Sequence, residues 1–313
     1  MKNKKIIIVG KGAVGNAIYN SIPKDEAYVE QYNSSDVHLA YGACPDLLIY
    51  AGVPGVKWKA EEDPVNDRRS IRSAFLNIQE IKPDKCVLIS SIDAGLSVMD
   101  EGFSLYGLHR KGLEDAVLKH LGSNAVVIRL PALAGDTVYK NIWYDINHPF
   151  PRSISKKSQI EWLNHLLCKL KASNYYIEEV DGKLMYNPSM RAWKQGHLGW
   201  FLTTHPHSKM LWLDINDLGE QLVKLTTTDI WGKTLLIASV LNDGRPALLT
   251  TEELYYQMTG EHLPICWNLQ NQSRHLDELY AQLYKVDYSA QLQTNELLFV
   301  NSINFEKKRG DSK

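Results

Sequence analysis

Three residues in the first part of the chain have the types and the spacing needed to move a proton on or off a substrate oxygen. Ser91 follows the apolar run 86–89, and Tyr106 and Arg110 are four residues apart. Residues four apart share one face of a helix, and a nearby cation favours the ionised form of a phenol. The pair could therefore exchange a proton while the Ser91 hydroxyl holds the reacting oxygen. The alternatives are structural: Tyr106 could be a half-buried aromatic residue that begins a helix, and Ser91 a turn residue at a strand end.

A glycine pattern near the start of the chain has the spacing of a dinucleotide-binding turn. The apolar run 6–9 predicts a strand buried on both faces, and Gly10, Gly12 and Gly15 follow at once. Gly10 would make the tight turn, Gly12 would let the backbone approach a pyrophosphate, and Gly15 would let a helix pack on the strand. The helix that begins near Ala13 and Val14 would present its N–H groups to the phosphates. The pattern predicts NAD or NADP at this turn; the alternative is a glycine-rich turn with no ligand.

The residue that would contact the adenine ribose is ambiguous. A strand is predicted over 27–32, and Glu30 lies near the point, about 20 residues beyond the glycines, where an acid would bind the ribose of NAD. The polar residues 33–35 after that strand could instead accommodate the 2′-phosphate of NADP. Because Glu30 could equally be a solvated strand residue, the choice between NAD and NADP stays open.

Strands and helices alternate from the first residues. Apolar runs predict further strands near 46–50, 86–89 and 125–128, and the spacing of apolar residues predicts an amphipathic helix over 70–81. This alternation favours an α/β, Rossmann-type fold with a doubly wound parallel sheet, in which ligands bind at the carboxyl ends of the strands. We expect the residues that follow such strands to line the cofactor: Ala51, Gly52, Ser90 and Pro131.

Composition limits the kind of protein. The chain has 313 residues, 44% hydrophobic and 23% charged, with a net charge of −1. These are the values of an ordinary globular protein, which excludes disorder, collagen and coiled coil as the main architecture. There is no basic run for nucleic acid, no apolar stretch of the roughly 20 residues that span a membrane, and no cysteine pattern for disulfides or metal. We therefore expect a cytoplasmic protein with a small-molecule substrate and neither nucleic acid nor membrane as partner.

Histidines are candidates for metal ligands or for proton transfer. His205 and His207 would share one face of a strand, but no carboxylate or further histidine lies at ligand spacing, so we expect no metal. His109 is adjacent to Arg110 and would point about 100° away from it on a helix. We expect His109 at the surface or in a supporting position.

Taken together, the motifs resemble those of extended short-chain dehydrogenases/reductases, in the branch of NAD-dependent epimerases and dehydratases. They occur in the family's order: strand–GxGxxG–helix, Ala51-Gly52, Ile89-Ser90-Ser91-Ile92-Asp93, Tyr106-Gly107-x-x-Arg110, and Val127-Ile128-Arg129-Leu130-Pro131 followed by Gly135. The resemblance covers about residues 4–135. Within the branch, the chain is most similar to reductase-like proteins of bacterial surface-polysaccharide clusters, whose substrates are usually nucleotide-activated sugars.

The resemblance implies a role for each catalytic position. Ser91 would polarise the carbonyl, Tyr106 would be the general acid/base, and the basic residue at position 110 would bind the nicotinamide ribose and lower the pKa of the tyrosine. The chain departs from the family in three ways. Arg110 replaces the usual lysine, the glycines follow GxGxxG instead of GxxGxxG, and residues 94–96 replace the usual Val-Tyr-Gly.

The second half of the chain predicts a smaller domain. We place a Rossmann dinucleotide-binding domain at 1–145 and a smaller, partly interleaved substrate-binding domain at 146–313, with about 210–240 returning to the Rossmann sheet. Asn141 and Tyr144 are of the kind that contact a sugar or a base, or they belong to a packed loop. A helix is predicted over 158–170 and a hairpin near 175–186. A homodimer is expected from the resemblance alone.

The sequence thus predicts an NAD(P)-dependent oxidoreductase, epimerase or dehydratase that acts on a nucleotide-activated sugar or a similar carbonyl or carbinol substrate. The alternative is a non-catalytic NAD(P)-binding sensor or regulatory protein on the same fold. A reductase of a non-sugar carbonyl compound is a third interpretation.

Overall fold

Two units make up the chain. The first comprises residues 1–138, 211–248 and 288–304, and the second comprises residues 139–210, 249–287 and 305–313. The computed structural model describes residues 4–96, 98, 103–135, 137–139, 141, 143, 176–180, 183–187, 209–241, 245–260 and 296–302.

Strands and helices alternate along the described residues. The strands are β1 (Lys4–Val9), β2 (Ala27–Tyr32), β3 (Leu47–Tyr50), β4 (Cys86–Ser91), β5 (Ala125–Leu130), β6 (Ala132–Ala134), β7 (Tyr176–Val180), β8 (Lys183–Asn187), β9 (Lys209–Asp214), β10 (Thr234–Val240), β11 (Leu248–Thr250) and β12 (Glu296–Ser302). The α-helices are α1 (Ala13–Ser21), α2 (Lys57–Glu62), α3 (Pro64–Ile81), α4 (Leu105–Leu121), α5 (Ile215–Leu225) and α6 (Thr251–Thr259). Short 3₁₀ helices cover Val37–Ala40, Ile92–Gly95 and Gly122–Asn124.

Seven strands of the first unit form one sheet, in the order β12-β10-β5-β4-β3-β1-β2. Every neighbouring pair in it is parallel, as expected for strands that are almost continuously apolar. The predicted α/β fold with a doubly wound parallel sheet is confirmed. β12 is a strand for which the sequence made no prediction. A second sheet has the order β11-β9-β6, and β6 and β9 are parallel.

Helices cover both faces of the large sheet because the side chains of β1 are apolar on both. Ile7 and Val9 belong to the core under α3 and α4. Ile6 and Ile8 are equally buried and point to the opposite face. There α1 and α5 pack so closely that a Cβ on Gly219 would lie 2.2 Å from Ser21 Oγ.

Helix α3 begins six residues before the predicted start at position 70. Asp63 caps it, since its carboxylate accepts a hydrogen bond from the N–H of Asn66 at 3.0 Å. Pro64 occupies the first position, where a missing N–H has no cost. The apolar periodicity that predicted this helix did not include its polar first turns. That extension contains Asp67, which is buried.

The second unit has two described elements that bear on the predictions. β7 and β8 pair in the antiparallel sense, which confirms the predicted hairpin. The predicted helix over 158–170 lies outside the described residues. A capping box begins α6: Thr250 Oγ1 accepts from the N–H of Glu253, and the Glu253 carboxylate accepts from the N–H of Thr250. None of the helices in the described part of the chain is long and apolar enough to cross a membrane.

The direction of the chain across the sheet reverses between β1 and β3. β2 lies on one side of β1 and β3 lies on the other. In open α/β sheets, ligands bind beyond the carboxyl ends of the strands at such a reversal. Gly10 and Ala51 directly follow β1 and β3, and Ser91 ends β4. The predicted phosphate-binding and proton-transferring residues therefore lie along one edge of the sheet.

Candidate functional site

The glycine turn after β1 is packed closely at two of its glycines and open at the third. Gly10 has a φ of +127°, and a Cβ there would be 2.6 Å from the carbonyl oxygen of Ala51. A Cβ on Gly15 would lie 2.0 Å from the carbonyl oxygen of Gly10, so α1 sits directly on the turn. Around Gly12, by contrast, no atom lies within 4 Å of an added Cβ.

This arrangement fits a pyrophosphate. Gly12 is the N-cap of α1 and makes no side-chain cap, so the first N–H groups of the helix, at Ala13 and Val14, are offered to a ligand. Because Gly12 has no side chain, the space beside it is open, and a ligand can reach these N–H groups through that space. The turn therefore suits the diphosphate of a dinucleotide, although the glycine spacing differs from the family's usual pattern.

Glu30 does not lie at the carboxyl end of β2. It pairs with Ile7 partway along β1, while β2 ends with Tyr32 opposite Val9. Its carboxylate accepts a hydrogen bond from Tyr28 at 3.2 Å and lies 3.7 Å from Lys5 Nζ. Glu30 is thus two residues short of the edge where an adenine ribose would lie.

The loop after β2 and the glycine turn meet through an ion pair. Lys11 Nζ lies 2.8 Å from Asp36 Oδ2, and the other oxygen of Asp36 accepts the N–H of Asn33 at 2.5 Å. Asn33 Oδ1 accepts from both the N–H and the hydroxyl of Ser35. The hydrogen bonds from Lys11 and from the N–H of Asn33 hold the pKa of Asp36 below its usual range. Lys11 and the small polar groups of residues 33–36 therefore lie at the carboxyl end of β2. This is the position at which the sequence left open whether the adenine ribose belongs to NAD or to NADP.

A glycine also sets the approach of α4 to the end of β4. Ser91 ends that strand and caps the 3₁₀ helix Ile92–Gly95. A Cβ on Gly107 would lie 2.3 Å from the carbonyl oxygen of Asp93, so the first turn of α4 rests on that 3₁₀ helix. Ser104 caps α4, accepting the N–H of Gly107 at 3.1 Å. This contact brings Tyr106 to Ser91.

Ser91, Tyr106 and Arg110 form one cluster. Tyr106 is 7% exposed, and the guanidinium carbon of Arg110 lies 3.6 Å from the centre of its ring. Burial raises the pKa of Tyr106 above its ordinary value. The charge of Arg110 and side-chain hydrogen bonds with Ser91 and Arg110 act in the opposite direction, and the charge of Asp93 adds to the rise. Since the ordinary pKa of a phenol is about 10, Tyr106 is a neutral phenol at pH 7.

The guanidinium of Arg110 is held by partners on two other segments. Its Nη1 donates to Asp67 Oδ2 at 2.5 Å and to the carbonyl oxygen of Tyr106 at 3.2 Å, and its Nη2 donates to the carbonyl oxygen of Pro54 at 2.6 Å. The buried Nε makes no hydrogen bond within the described structure. Arg110 is thus fixed beside the phenol by hydrogen bonds from both of its outer nitrogens.

His109 is buried, although a surface position was one of the two expected. Its Nδ1 lies 2.7 Å from Asp67 Oδ2, the same oxygen that Arg110 contacts. Its Nε2 is buried and has no hydrogen-bond partner in the part of the chain that the structure describes. His109 therefore supports the carboxylate that holds Arg110, because α3 packs against α4 at this point.

Ser90, expected to line the cofactor, is bound to a buried ion pair. Its hydroxyl donates to Glu114 Oε1 at 2.6 Å. Glu114 is fully buried and also receives two hydrogen bonds from Arg129, at 3.0 and 2.6 Å. These bonds join the ends of β4 and β5 to α4, and they give Ser90 a structural partner.

Two of the remaining predicted cofactor residues, Ala51 and Gly52, contact the end of β1. Gly52 lies beside Val9, where a Cβ would be 2.9 Å from the valine side chain, and Ala51 donates its N–H to Val9 O at 2.7 Å. Pro131 is buried directly after β5. Asn141 is half-buried in the second unit, and Tyr144 lies outside the described residues. Among the described side chains, no group of three or more His, Cys, Asp or Glu could hold a metal ion.

Sequence reasoning assigned no role to four charged residues near this cluster. Asp67 holds Arg110, Glu61 accepts the backbone N–H of Tyr106 at 2.6 Å, and Lys57 forms a 2.6 Å ion pair with Asp93. A signal existed for Asp93, because it lies two residues after Ser91. The others come from α2 and α3, about 40 residues before Tyr106, and no local pattern connects them to it.

No protein-family model matches the sequence, and neither does any curated protein. Among solved structures, dTDP-4-dehydrorhamnose reductase from Bacillus anthracis in complex with NADP is similar, with a TM-score of 0.51 and 13% identity over 100% of this chain and 94% of that chain. An epimerase from Methanothermobacter thermautotrophicus has a TM-score of 0.52 and 12% identity over 98% of this chain and 86% of its own. RMD from Pseudomonas aeruginosa, complexed with NADPH, has a TM-score of 0.51 and 13% identity over 96% and 87%.

At these identities the likeness concerns the fold. The resemblance inferred from the motifs is thereby confirmed at that level: the chain has the α/β fold of structures that include NADP- and NADPH-bound proteins, a nucleotide-sugar reductase and an epimerase.

Proposed function

We propose that this chain is an NAD(P)-dependent enzyme that reduces a carbonyl group of a nucleotide-activated sugar or a similar compound. The observation that carries the proposal is the cluster of Ser91, Tyr106 and Arg110 on the edge of the sheet that also holds the glycine turn. β1 and β4 are separated by β3, so the two features are about 10 Å apart across the sheet. A dinucleotide with its pyrophosphate at Gly12 can extend over that distance.

The chain's own residues would manage the proton. A bound nicotinamide cofactor would supply or accept the hydride. The phenol of Tyr106 would donate its proton to the substrate oxygen as negative charge develops there, and Ser91 would hold the same oxygen by a hydrogen bond. Arg110 would stabilise the phenolate left behind, since its guanidinium lies against the ring. With its pKa raised, Tyr106 is protonated at neutral pH, which is the state that reduction requires of it.

Reductases among the structural neighbours support the substrate class. Two of them, from Bacillus anthracis and Yersinia enterocolitica, are dTDP-4-dehydrorhamnose reductases. We propose a nucleotide sugar with a ketone on the sugar ring, with epimerisation or dehydration as variants of the same chemistry. We also propose Asn141 and Tyr144 as substrate contacts, because amide and phenol groups can bind a sugar or a base. We propose that the second unit selects the substrate.

We infer NADP(H) as the preferred cofactor. Lys11 and the residues 33–36 stand at the carboxyl end of β2, whereas Glu30 is bonded to Tyr28 farther back along the strand. A 2′-phosphate could replace the carboxylate of Asp36 on Lys11. Substitution Lys11→Ala should weaken NADPH binding more than NADH binding, by a factor on the order of 10 for one lost charged contact. Calorimetric titration with both cofactors measures the ratio, and equal losses for the two would contradict this preference.

Turnover tests the proposed function. Purified protein is mixed with NADPH and dTDP-4-dehydrorhamnose or related 4-keto nucleotide sugars, and NADPH oxidation is followed by absorbance. We expect turnover with at least one keto sugar, and a loss on the order of 10² to 10⁴ in kcat for Tyr106→Phe. NADPH affinity should remain unchanged in that variant. Equal turnover by Tyr106→Phe would overturn the proposal.

A non-catalytic sensor of NAD(P) is the second candidate. Arg110 favours it, because it stands where the resemblance implies a lysine and because three of its N–H groups are already donated to Asp67, Tyr106 and Pro54. A sensor would bind the cofactor with full affinity, would reduce none of a panel of keto nucleotide sugars and keto acids, and would be indifferent to Tyr106→Phe.

A homodimer is also proposed. Helices α3 and α4 pack together and expose four large apolar side chains: Val65, Leu76, Leu105 and Leu108. Light scattering after gel filtration should give twice the monomer mass, and Leu108→Lys should shift the protein toward monomer. A monomeric mass for the unmodified chain at micromolar concentration would contradict the dimer.

A further inference from the structure

Two charged residues outside the Ser91, Tyr106 and Arg110 cluster are connected to it through Ser91. Asp93 Oδ2 accepts the hydroxyl proton of Ser91 at 3.0 Å, and Asp93 Oδ1 receives a hydrogen bond from Lys57 Nζ at 2.6 Å. The N–H of Asp93 is in turn donated to Ser91 Oγ at 3.3 Å. The carboxylate therefore lies between a hydroxyl at the reacting centre and an ammonium group.

The accessibility of the two charges differs. The side chain of Asp93 is 13% exposed and that of Lys57 is 38% exposed. Asp93 is fixed by the 3₁₀ helix Ile92–Gly95, against which α4 packs at Gly107. Lys57 is the first residue of α2. Lys57 is thus a cation at the edge of the site whose charge acts on Asp93.

The Ser91 hydroxyl has one proton and two groups that can accept it. One is the Asp93 carboxylate, and the other is the oxygen of Tyr106 or of a substrate. A carboxylate without a counter-ion is the stronger acceptor, so it would keep the proton of Ser91 away from the reacting oxygen. Lys57 reduces that competition because it neutralises the carboxylate at 2.6 Å.

We propose that Lys57 and Asp93 are positioning residues that govern where the Ser91 hydroxyl and the Tyr106 phenol direct their protons, with Lys57 acting through Asp93. This inference rests on the proposed function, since it assigns the two residues to the same proton-transfer site. It also gives the site a lysine from α2, about 50 residues before Arg110 in the chain.

The charged and titratable groups around Tyr106 come from four segments. Arg110 and His109 lie on α4, Asp93 on the 3₁₀ helix, Glu61 and Lys57 on α2, and Asp67 on α3. Arg110 is paired with Asp67, and Glu61 contacts the backbone N–H of Tyr106. Removing Asp93 or Lys57 changes the field at the phenol while those contacts stay in place.

The test needs neither substrate nor cofactor. Position 106 of the full chain is replaced by 3,5-difluorotyrosine, whose phenol ionises at a pH where the protein is folded, and its ionisation is followed by ¹⁹F NMR. Asp93→Asn removes a negative charge and should lower the pKa of this phenol by on the order of one unit. Lys57→Met leaves Asp93 without its counter-ion and should raise the pKa of the phenol by about half a unit.

The pKa of the phenol should shift in opposite directions in the two variants. A purely structural role would give no shift of this pKa, or the same shift in both variants. Lys57→Arg should restore the unmodified value, and Lys59→Met, on the same helix, should leave it unchanged. If Asp93→Asn does not fold, the Lys57 variants decide: an unchanged pKa in Lys57→Met overturns the inference. Its failure leaves the proposed function standing, because that is decided by the turnover of Tyr106→Phe.

Discussion

The two ends of the candidate site are built in different ways. At the glycine turn, the site is made by the absence of side chains: Gly10 and Gly15 allow close packing, and Gly12 leaves open space before the N–H groups of α1. At the end of β4, the site is made by side chains that contact one another. Tyr106 and Arg110 are buried, and Arg110 is held by the carboxylate of Asp67 from another helix.

This difference explains what each end can bind. A turn that offers backbone N–H groups suits any diphosphate, and its geometry depends on six consecutive residues. The cluster around Tyr106 depends on charges from α2, α3 and α4 at once, so its chemistry is sensitive to each of them. Changes at the turn should therefore affect packing or affinity, while changes at the cluster should affect proton transfer as well as stability.

Asp67 should give the largest loss of stability. Its carboxylate accepts hydrogen bonds from both His109 and Arg110, and its side chain is 3% exposed. Asp67→Ala leaves the guanidinium buried without its counter-ion, which costs about 3 to 5 kcal/mol. Denaturant unfolding measures the change. Asp115→Ala, at an exposed carboxylate on α4, is the control and should have almost no effect.

Substitutions at two glycines of the turn should differ in their effect on stability, because only one of these glycines is needed for packing. Gly15→Ala brings a Cβ within 2.0 Å of a carbonyl oxygen and should destabilise the fold by about 3 kcal/mol. Gly12→Ala meets no atom within 4 Å and should cost less than about 1 kcal/mol, the effect of an altered N-cap. Thermal unfolding of both variants measures the contrast, and equal losses would mean that the turn is not packed as described.

The pH dependence of reduction should reflect the neutral phenol. Burial raises the pKa of Tyr106, so the phenol stays protonated through neutral pH. We expect kcat for reduction to remain level through neutral pH and to fall only above the ordinary phenol pKa of about 10, as Tyr106 ionises. In the direction of oxidation the sign is opposite, and the rate should rise with pH. A reduction rate that already falls as the pH rises toward 7, in a profile that is lost in Tyr106→Phe, would indicate a lowered pKa instead.

Glu30 should give the smallest effect. Its carboxylate is bonded to Tyr28 and lies near Lys5, two residues before the end of β2. Glu30→Gln should change the affinity for NADPH or NADH by less than about twofold. Calorimetric titration with both cofactors measures this. A selective loss of NADH binding would place the ribose at Glu30 and contradict the position assigned to it.

Local patterns predicted most of the fold and the phosphate end of the site. The apolar runs at β1, β3, β4 and β5 and the glycines after β1 are consecutive in the chain, so they could be identified without tertiary information. The start of α3 was missed because Asp63 and Pro64 determine it and its first turns are polar. β12 was missed because it pairs with β10 across some 60 residues of chain.

The chemical end was only partly predictable. Ser91 and Tyr106 were identified by type and spacing, and the 3.6 Å approach of Arg110 to the ring agrees with two residues four apart on a helix. Asp67, which accepts a hydrogen bond from Arg110, and Glu114, which accepts one from Ser90, were not identified from the sequence. Their pairing is a consequence of how α3, α4 and the sheet pack, and nothing in the neighbouring sequence specifies it.

Binding of NADPH to the unmodified chain and to Gly12→Asp tests the central claim most directly. The Cβ of the aspartate would meet no atom within 4 Å, and aspartate is a favoured N-cap residue, so the fold should persist while a negative charge stands at the N-terminus of α1. Calorimetry should show one NADPH bound per unmodified chain and a loss of at least about 100-fold in affinity for Gly12→Asp, at an unchanged melting temperature without ligand. No binding to the unmodified chain, or equal affinity in both proteins, would contradict the account.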